Sequence, residues 1–143
     1  MKFLYATSNK GKQANMIRRL QGSGFELVFP QDLNCFPKIV ENGKNEVENA
    51  IIKAKAYVSY TDLPILAADS GLYFENVKSP GLFVKRVEGK ELRDDELIEY
   101  HKQLAKQNGG KIVAHYVSSL ALLTNNKCHT VEIIEEPFWI LDT

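Results

Sequence analysis

The junction where the apolar run Pro64 to Ala68 meets Asp69-Ser70-Gly71 constrains this chain more than any other segment. A short apolar run closed by turn residues reads as a buried strand. An acid at the carboxyl end of such a strand, followed by a tight turn, stands where open α/β sheets place their ligands. A carboxylate there can hold a magnesium ion or take a proton from water. Asp-Ser-Gly is also an ordinary turn, so other segments must decide between the readings.

Around this junction the pattern alternates strand and helix. Lys2 to Ala6 reads as a first strand and Thr7 to Gly11 as a polar turn. Lys12 to Leu20 reads as a helix with Ala14 and Ile17 facing inward and Met16 and Leu20 as further candidates, stopped by Gly22-Ser23-Gly24. Phe25 to Phe29 is a second strand, which favours parallel pairing with the first. Residues 31 to 44 form an irregular polar connection. A second helix runs from about Glu46 to Tyr60, capped by Asn45 with Glu48 three residues on. Val47, Ala50, Ile51, Ala54 and Val58 make its apolar stripe, and Glu46, Asn49 and Lys53 fall along another face.

Past the junction, Leu72 to Asn76 reads as a short antiparallel return, Ser79-Pro80-Gly81 as a turn and Arg86 to Lys90 as loop. Arg93 to Gln107 is a third helix, ended by Asn108-Gly109-Gly110, and its acids Asp94, Asp95 and Glu96 suit its positive N-terminal end. Lys111 to Leu123 is a long strand, paired through a turn at 124–127 with Cys128 to Ile134. The apolar segment Pro137 to Leu141 packs on the core or forms an interface. The expected fold class is α/β, a mixed twisted sheet flanked by helices, built as a single domain over residues 1–143.

Bulk composition excludes several functions. Eighteen basic and 18 acidic residues balance to a formal charge of zero, which gives no nucleic-acid surface. No apolar stretch approaches the length of a membrane span. Cys35 and Cys128 supply no disulfide framework, so a reducing cytoplasm is the default location. His101, His115 and His129 lack zinc-ligand spacing.

Three further groups of residues bear on chemistry. Thr7-Ser8-Asn9-Lys10-Gly11-Lys12 joins strand to helix, where free N–H groups, hydroxyls and lysines suit an anion. It matches neither a Walker A loop nor a dinucleotide fingerprint. Its plain alternative is a polar loop before a capped helix. Glu41, Asn45, Asn49 and Lys53 make the second group, where an ammonium could reach a phosphate, although the pattern alone favours a solvated helix face. In Pro80-Gly81-Leu82-Phe83-Val84-Lys85-Arg86, the arginine could clamp phosphate oxygens, against a surface arginine after a turn.

In their order and spacing these segments resemble the inosine triphosphate pyrophosphatase family, also called Ham1 or RdgB. Thr7, Asn9 and Lys12 match its opening Thr-x-Asn-x-x-Lys. Glu41 and Gly43 match Glu-x-Gly, and Asn49, Ala50, Lys53 and Ala54 match Asn-Ala-x-x-Lys-Ala. Asp69, Ser70, Gly71 and Leu72 match all but the first acid of an acidic pair before Ser-Gly-Leu. Pro80, Gly81, Phe83 and Arg86 match Pro-Gly-x-Tyr/Phe-x-x-Arg. The likeness covers residues 1 to about 122.

The resemblance implies the family architecture with a reduced second lobe, and magnesium-dependent hydrolysis of non-standard purine nucleoside triphosphates (ITP, dITP, XTP) to monophosphate and pyrophosphate. It implies Asp69 as general base and Glu41 with Asp69 as metal ligands. Thr7, Ser8, Asn9, Lys12, Lys53, Ser70, Gly71 and Arg86 are its implied substrate contacts. A homodimer follows by the same analogy. Two departures support an alternative, a non-catalytic nucleotide- or phosphate-binding protein. Ala68 replaces the first acid, and the family's later Phe-Gly-Tyr-Asp-Pro and Ser-His-Arg segments are absent. The base-selecting half of the cleft is therefore expected to be missing or rebuilt.

Overall fold

The computed structural model describes residues 1–74, 86–87, 90–91, 93–125 and 127–141, the side chains of 86, 87, 90, 91 and 94 excepted. Its elements run β1 (Lys2–Tyr5), α1 (Lys10–Arg19), β2 (Glu26–Val28), α2 (Glu46–Ala56), β3 (Ile65–Phe74), β4 (Arg86–Val87), β5 (Lys90–Glu91), α3 (Asp94–Gln107), β6 (Lys111–Thr124), β7 (Lys127–Ile134) and β8 (Phe138–Leu141). Short 3-10 turns cover Pro30–Leu33 and Val58–Tyr60. Six strands form a mixed sheet in the order β2–β1–β3–β6–β7, with β8 also on β6.

The strand–helix–strand reading of the first 30 residues holds. β1 pairs parallel with β2, Lys2 opposite Glu26, and parallel with β3, Leu4 opposite Ile65. Such parallel neighbours require a crossover, which α1 and α2 supply.

Two compact units divide the chain. The first comprises residues 1–69 and 119–132, the second 70–118 and 133–143. Leu4, Ala6, Cys35, Ala54, Tyr57, Ile65 and Ala67 form the core of the first. Leu4 is wholly buried there, a contribution of roughly 1.5–3 kcal/mol for a side chain of its kind. In the second unit Leu72, Phe74, Ala105, Ile112 and Ala114 pack together, with Tyr116 and Ile140 against them.

Several sequence expectations are corrected. β3 does not stop at Asp69; the strand runs on through Asp69-Ser70-Gly71 to Phe74. Backbone pairing in the sheet outweighs the turn propensity of three small polar residues. No antiparallel return therefore begins at Leu72, and residues 75–76 lie outside the description. Arg86–Val87 and Lys90–Glu91 are a short antiparallel pair rather than loop. In α1 the inward residue is Gln13, 5% exposed, while Ile17 is 51% exposed. α2 ends at Ala56, short of Tyr60, with Tyr57 as its C-cap. The apolar terminal segment divides by strand alternation. Ile140 packs toward the core; Phe138 stacks on Tyr116 on the same side but stays exposed, and Trp139 and Leu141 are exposed on the other.

Candidate functional site

The site is built on α2 and the end of the first unit's stretch of β3. Asn45 starts the helix, its side-chain oxygen accepting the Glu48 N–H at 2.9 Å. This satisfies one of the donors a helix start leaves unpaired. One turn in, Asn49 is buried, and its Oδ1 accepts the Gly43 N–H at 2.8 Å. That bond folds residues 41–45 back onto the helix. A Cβ on Gly43 would stand 2.7 Å from Asn49 Oδ1 and 2.7 Å from Glu48 Cβ, so the approach demands glycine.

Lys53 lies one further turn along the same face. Its Nζ is 2.9 Å from Glu41 Oε1 and 3.4 Å from Asp69 Oδ1. It also donates to the Ala68 carbonyl at 3.1 Å. The Lys53 and Asp69 side chains are 14% and 11% exposed, and that of Glu41 is 40% exposed. The face is therefore not solvated, because Glu46 and Asn49 beside Lys53 are buried as well. Sequence patterning favoured the solvated alternative, since nothing local reveals what a polar helix face packs against.

Burial pushes the Asp69 carboxyl up from the usual carboxylate range. The Lys53 charge pulls it down, Glu41 pushes it up, and hydrogen bonding from Asn49 and Lys53 pulls it down, none of them outweighing burial. Asp69 Oδ2 is buried and has no hydrogen-bond partner among the described residues. The Tyr5 phenol, at the end of β1, is also pushed up by burial and opposed by the Lys53 charge.

The turn leaving β1 is internally braced. Asn9 N–H donates to Thr7 Oγ1 at 3.2 Å, and Asn9 Oδ1 accepts the Lys12 N–H at 3.0 Å, capping α1. Gln13 Nε2 donates to the Thr7 carbonyl at 2.7 Å. Gln13 and Gln31 exchange amide hydrogen bonds, both at 3.0 Å. Sequence reasoning missed this brace. Its only signal was a polar residue where the helix period wanted an apolar one.

Glu41, Lys53 and Asp69 are thus brought together. Thr7, Ser8, Asn9 and Lys12 share the β1–α1 turn, with Ser8 and Lys12 exposed. Ser70 and Gly71 are strand residues of the second unit, Gly71 buried. Arg86 opposite Glu91 is located by its backbone only, and residues 80–85 of its motif lie outside the description. Among the described residues no group of three or more acids, histidines or cysteines could hold a metal ion.

A mixed sheet with parallel β2, β1 and β3, and helices in the crossovers, defines an α/β protein, and in it Asp69 of β3 meets Lys53 of α2 and, through Lys53, Glu41. The chain belongs to the Ham1 family, which residues 3–136 match. It is 38% identical over 109 residues to a dITP/XTP pyrophosphatase of Vibrio parahaemolyticus, covering 76% of this chain and 53% of that one. A protein of the same name from Coxiella burnetii is 34% identical over 148 residues, covering 96% and 74%. The chain thus spans about half the length of relatives such as the Vibrio protein. Among solved structures, a HAM1 protein from Coxiella burnetii superposes with a TM-score of 0.79 at 29% identity, covering 94% of this chain and 70% of that one. A nucleoside-triphosphatase, dITP/XTP pyrophosphatase, from Mycobacterium abscessus gives 0.72 at 31% identity, covering 94% and 72%.

Proposed function

We propose that this chain hydrolyses non-standard purine nucleoside triphosphates such as ITP, dITP and XTP to the monophosphate and pyrophosphate, in the presence of magnesium. Family membership supports the reading, and so do the names of its relatives. The observation that carries it is the Glu41–Lys53–Asp69 cluster with its unpartnered Asp69 Oδ2.

Magnesium is usually held by one or two carboxylates, with phosphate oxygens and water completing its shell. Glu41 and Asp69 meet that requirement, and the buried orphan oxygen of Asp69 is a donor that a cation would satisfy. When bound, the ion neutralises charge on the phosphate oxygens.

The chain's own residues do the rest. Asp69 takes the proton of the attacking water, a task helped by a carboxyl whose affinity for protons burial has raised. Lys12, Lys53 and Arg86 stabilise negative charge on the phosphates. Ser70 and Gly71 line the substrate. Thr7, Ser8 and Asn9 present the start of α1, where the Lys10 and Gly11 N–H groups face the anion. Because Thr7 and Asn9 also brace their own turn, they arrive prearranged.

Release of pyrophosphate across a panel of nucleoside triphosphates tests the reading. Turnover of ITP, dependent on magnesium and abolished by Asp69→Asn, is the expected result. Equal turnover by that variant removes the mechanism.

A second reading, nucleotide binding without hydrolysis, is favoured by one observation: Ala68 brings no carboxylate, and Lys53 already engages both remaining acids. Calorimetry with inosine triphosphate separates the two, since binding indifferent to magnesium and without turnover supports the second. Under either reading the chain is taken as a cytoplasmic homodimer, with exposed Trp139 and Leu141 as apolar surface for the contact. Trp139→Lys is expected to lower the sedimenting mass.

A further inference from the structure

The position of Lys53 bears on how the metal arrives. Its ammonium engages Glu41 Oε1 at 2.9 Å, Asp69 Oδ1 at 3.4 Å and the Ala68 carbonyl at 3.1 Å at once. Both acids that would hold a divalent ion therefore share a cation already, and Ala68 contributes only its main-chain oxygen, which Lys53 also takes. No further acid, histidine or cysteine among the described residues joins them in a metal-holding group. With Lys53 and Asp69 mostly buried, water and salt screen these charges weakly. A divalent ion entering between Glu41 and Asp69 meets an ammonium at contact distance, and like charges so placed repel strongly.

We propose that Lys53 is a resident counter-cation that makes metal loading conditional on a polyphosphate. The phosphate oxygens draw the lysine off the two acids, and the metal then takes the place it leaves. The lysine's flexible four-carbon stem allows the move while its head stays charged. The inference rests on the reading that Glu41 and Asp69 hold the metal, and adds an order of binding to it. Lys53 thus has two roles, repelling the metal when alone and binding phosphate when substrate is present.

Water-proton relaxation with Mn2+ in place of magnesium reads the coupling directly. Wild-type protein is titrated with Mn2+ alone and with inorganic pyrophosphate, corrected for the Mn2+–pyrophosphate complex in protein-free buffer. The expected result is binding on the order of ten-fold or more tighter with pyrophosphate. Lys53→Met is expected to bind Mn2+ alone on the order of ten-fold tighter than wild type, while its affinity for pyrophosphate falls. A lysine that merely supported the fold would weaken both. Wild-type protein that binds Mn2+ equally well with and without pyrophosphate overturns the proposal, and this arm needs no variant to fold. Pyrophosphate release from inosine triphosphate, run in parallel, separates the two levels. Turnover together with uncoupled Mn2+ binding overturns the order alone. Absence of both turnover and Mn2+ binding removes the hydrolytic reading, and the order with it.

Discussion

Asn49 Oδ1 accepts the Gly43 N–H at 2.8 Å, and through that bond the segment carrying Glu41 is held against α2. Glu41 then reaches Lys53, whose Nζ is 2.9 Å from it. A methyl on Gly43 would meet Asn49 Oδ1 and Glu48 Cβ, both at 2.7 Å. Gly43→Ala is expected to destabilise the fold by roughly 1–3 kcal/mol, the usual cost of crowding a packed position. It should also loosen Glu41 and so raise the magnesium concentration needed for half-maximal turnover. Urea unfolding and a magnesium titration check the two halves; a variant unchanged in both removes the role given to Gly43.

The burial of Asp69 is expected to cost stability at neutral pH. Burial raises its folded pKa above the unfolded value, so the folded state favours the protonated form. Stability from this group is complete below the ordinary carboxylate range and is lost as pH rises through the raised folded pKa. Asp69→Asn is therefore expected to be inactive yet more stable than wild type at pH 7, with the difference vanishing toward pH 3. Urea midpoints at the two pH values decide it. A neutral-pH midpoint below that of wild type would show that the Lys53 pair outweighs burial. The activity of the wild type should fall on the acid side at a higher pH than a free aspartate would give.

His101 acts in the opposite sense. Its Nε2 is buried with no hydrogen-bond partner among the described residues, and its ring stands edge-on to Phe74 at 5.7 Å. Burial lowers its folded pKa. The stability tied to its neutral form is present above the ordinary imidazole range and is lost as pH falls through the lowered folded value. Wild-type melting temperature should drop between pH 7 and pH 5, and His101→Leu should flatten that slope. A slope shared by both proteins assigns the effect elsewhere.

Asn9 offers a way to separate capping from contact with substrate. Its side chain accepts the Lys12 N–H at 3.0 Å. Asn9→Ala is expected to cost about 1 kcal/mol as a lost N-cap. Asn9→Ser keeps a capping oxygen and should keep most of that stability. If Asn9 touches the triphosphate, KM still rises in the serine variant. A KM unchanged in Asn9→Ser restricts the residue to its capping role.

Much of the fold was legible because its signals are local. Asn45 before Glu48, the glycines after α3 and the apolar run into β3 each act over a few residues. Gly109 and Gly110 adopt φ values of 84° and 94°, which is why the helix ends there. The Asp-Ser-Gly turn was misread for the same reason. Local propensity spoke for a turn, whereas a place within the sheet kept the backbone extended. Gln13 shows a similar failure, for its burial depends on Gln31, a partner 18 residues away.

The sequence by itself determined the α/β class, the Asn45 cap of the site helix and the identity of the residues that bear charge. Spacing and capping chemistry suffice for these, since they operate within one or two turns of chain. Only the tertiary structure decided that Lys53 would stand between Glu41 and Asp69, partners 12 and 16 residues away, and that one oxygen of Asp69 would be buried without a partner. Which charges meet, and how far water is excluded from them, depends on how helix and strand pack against each other.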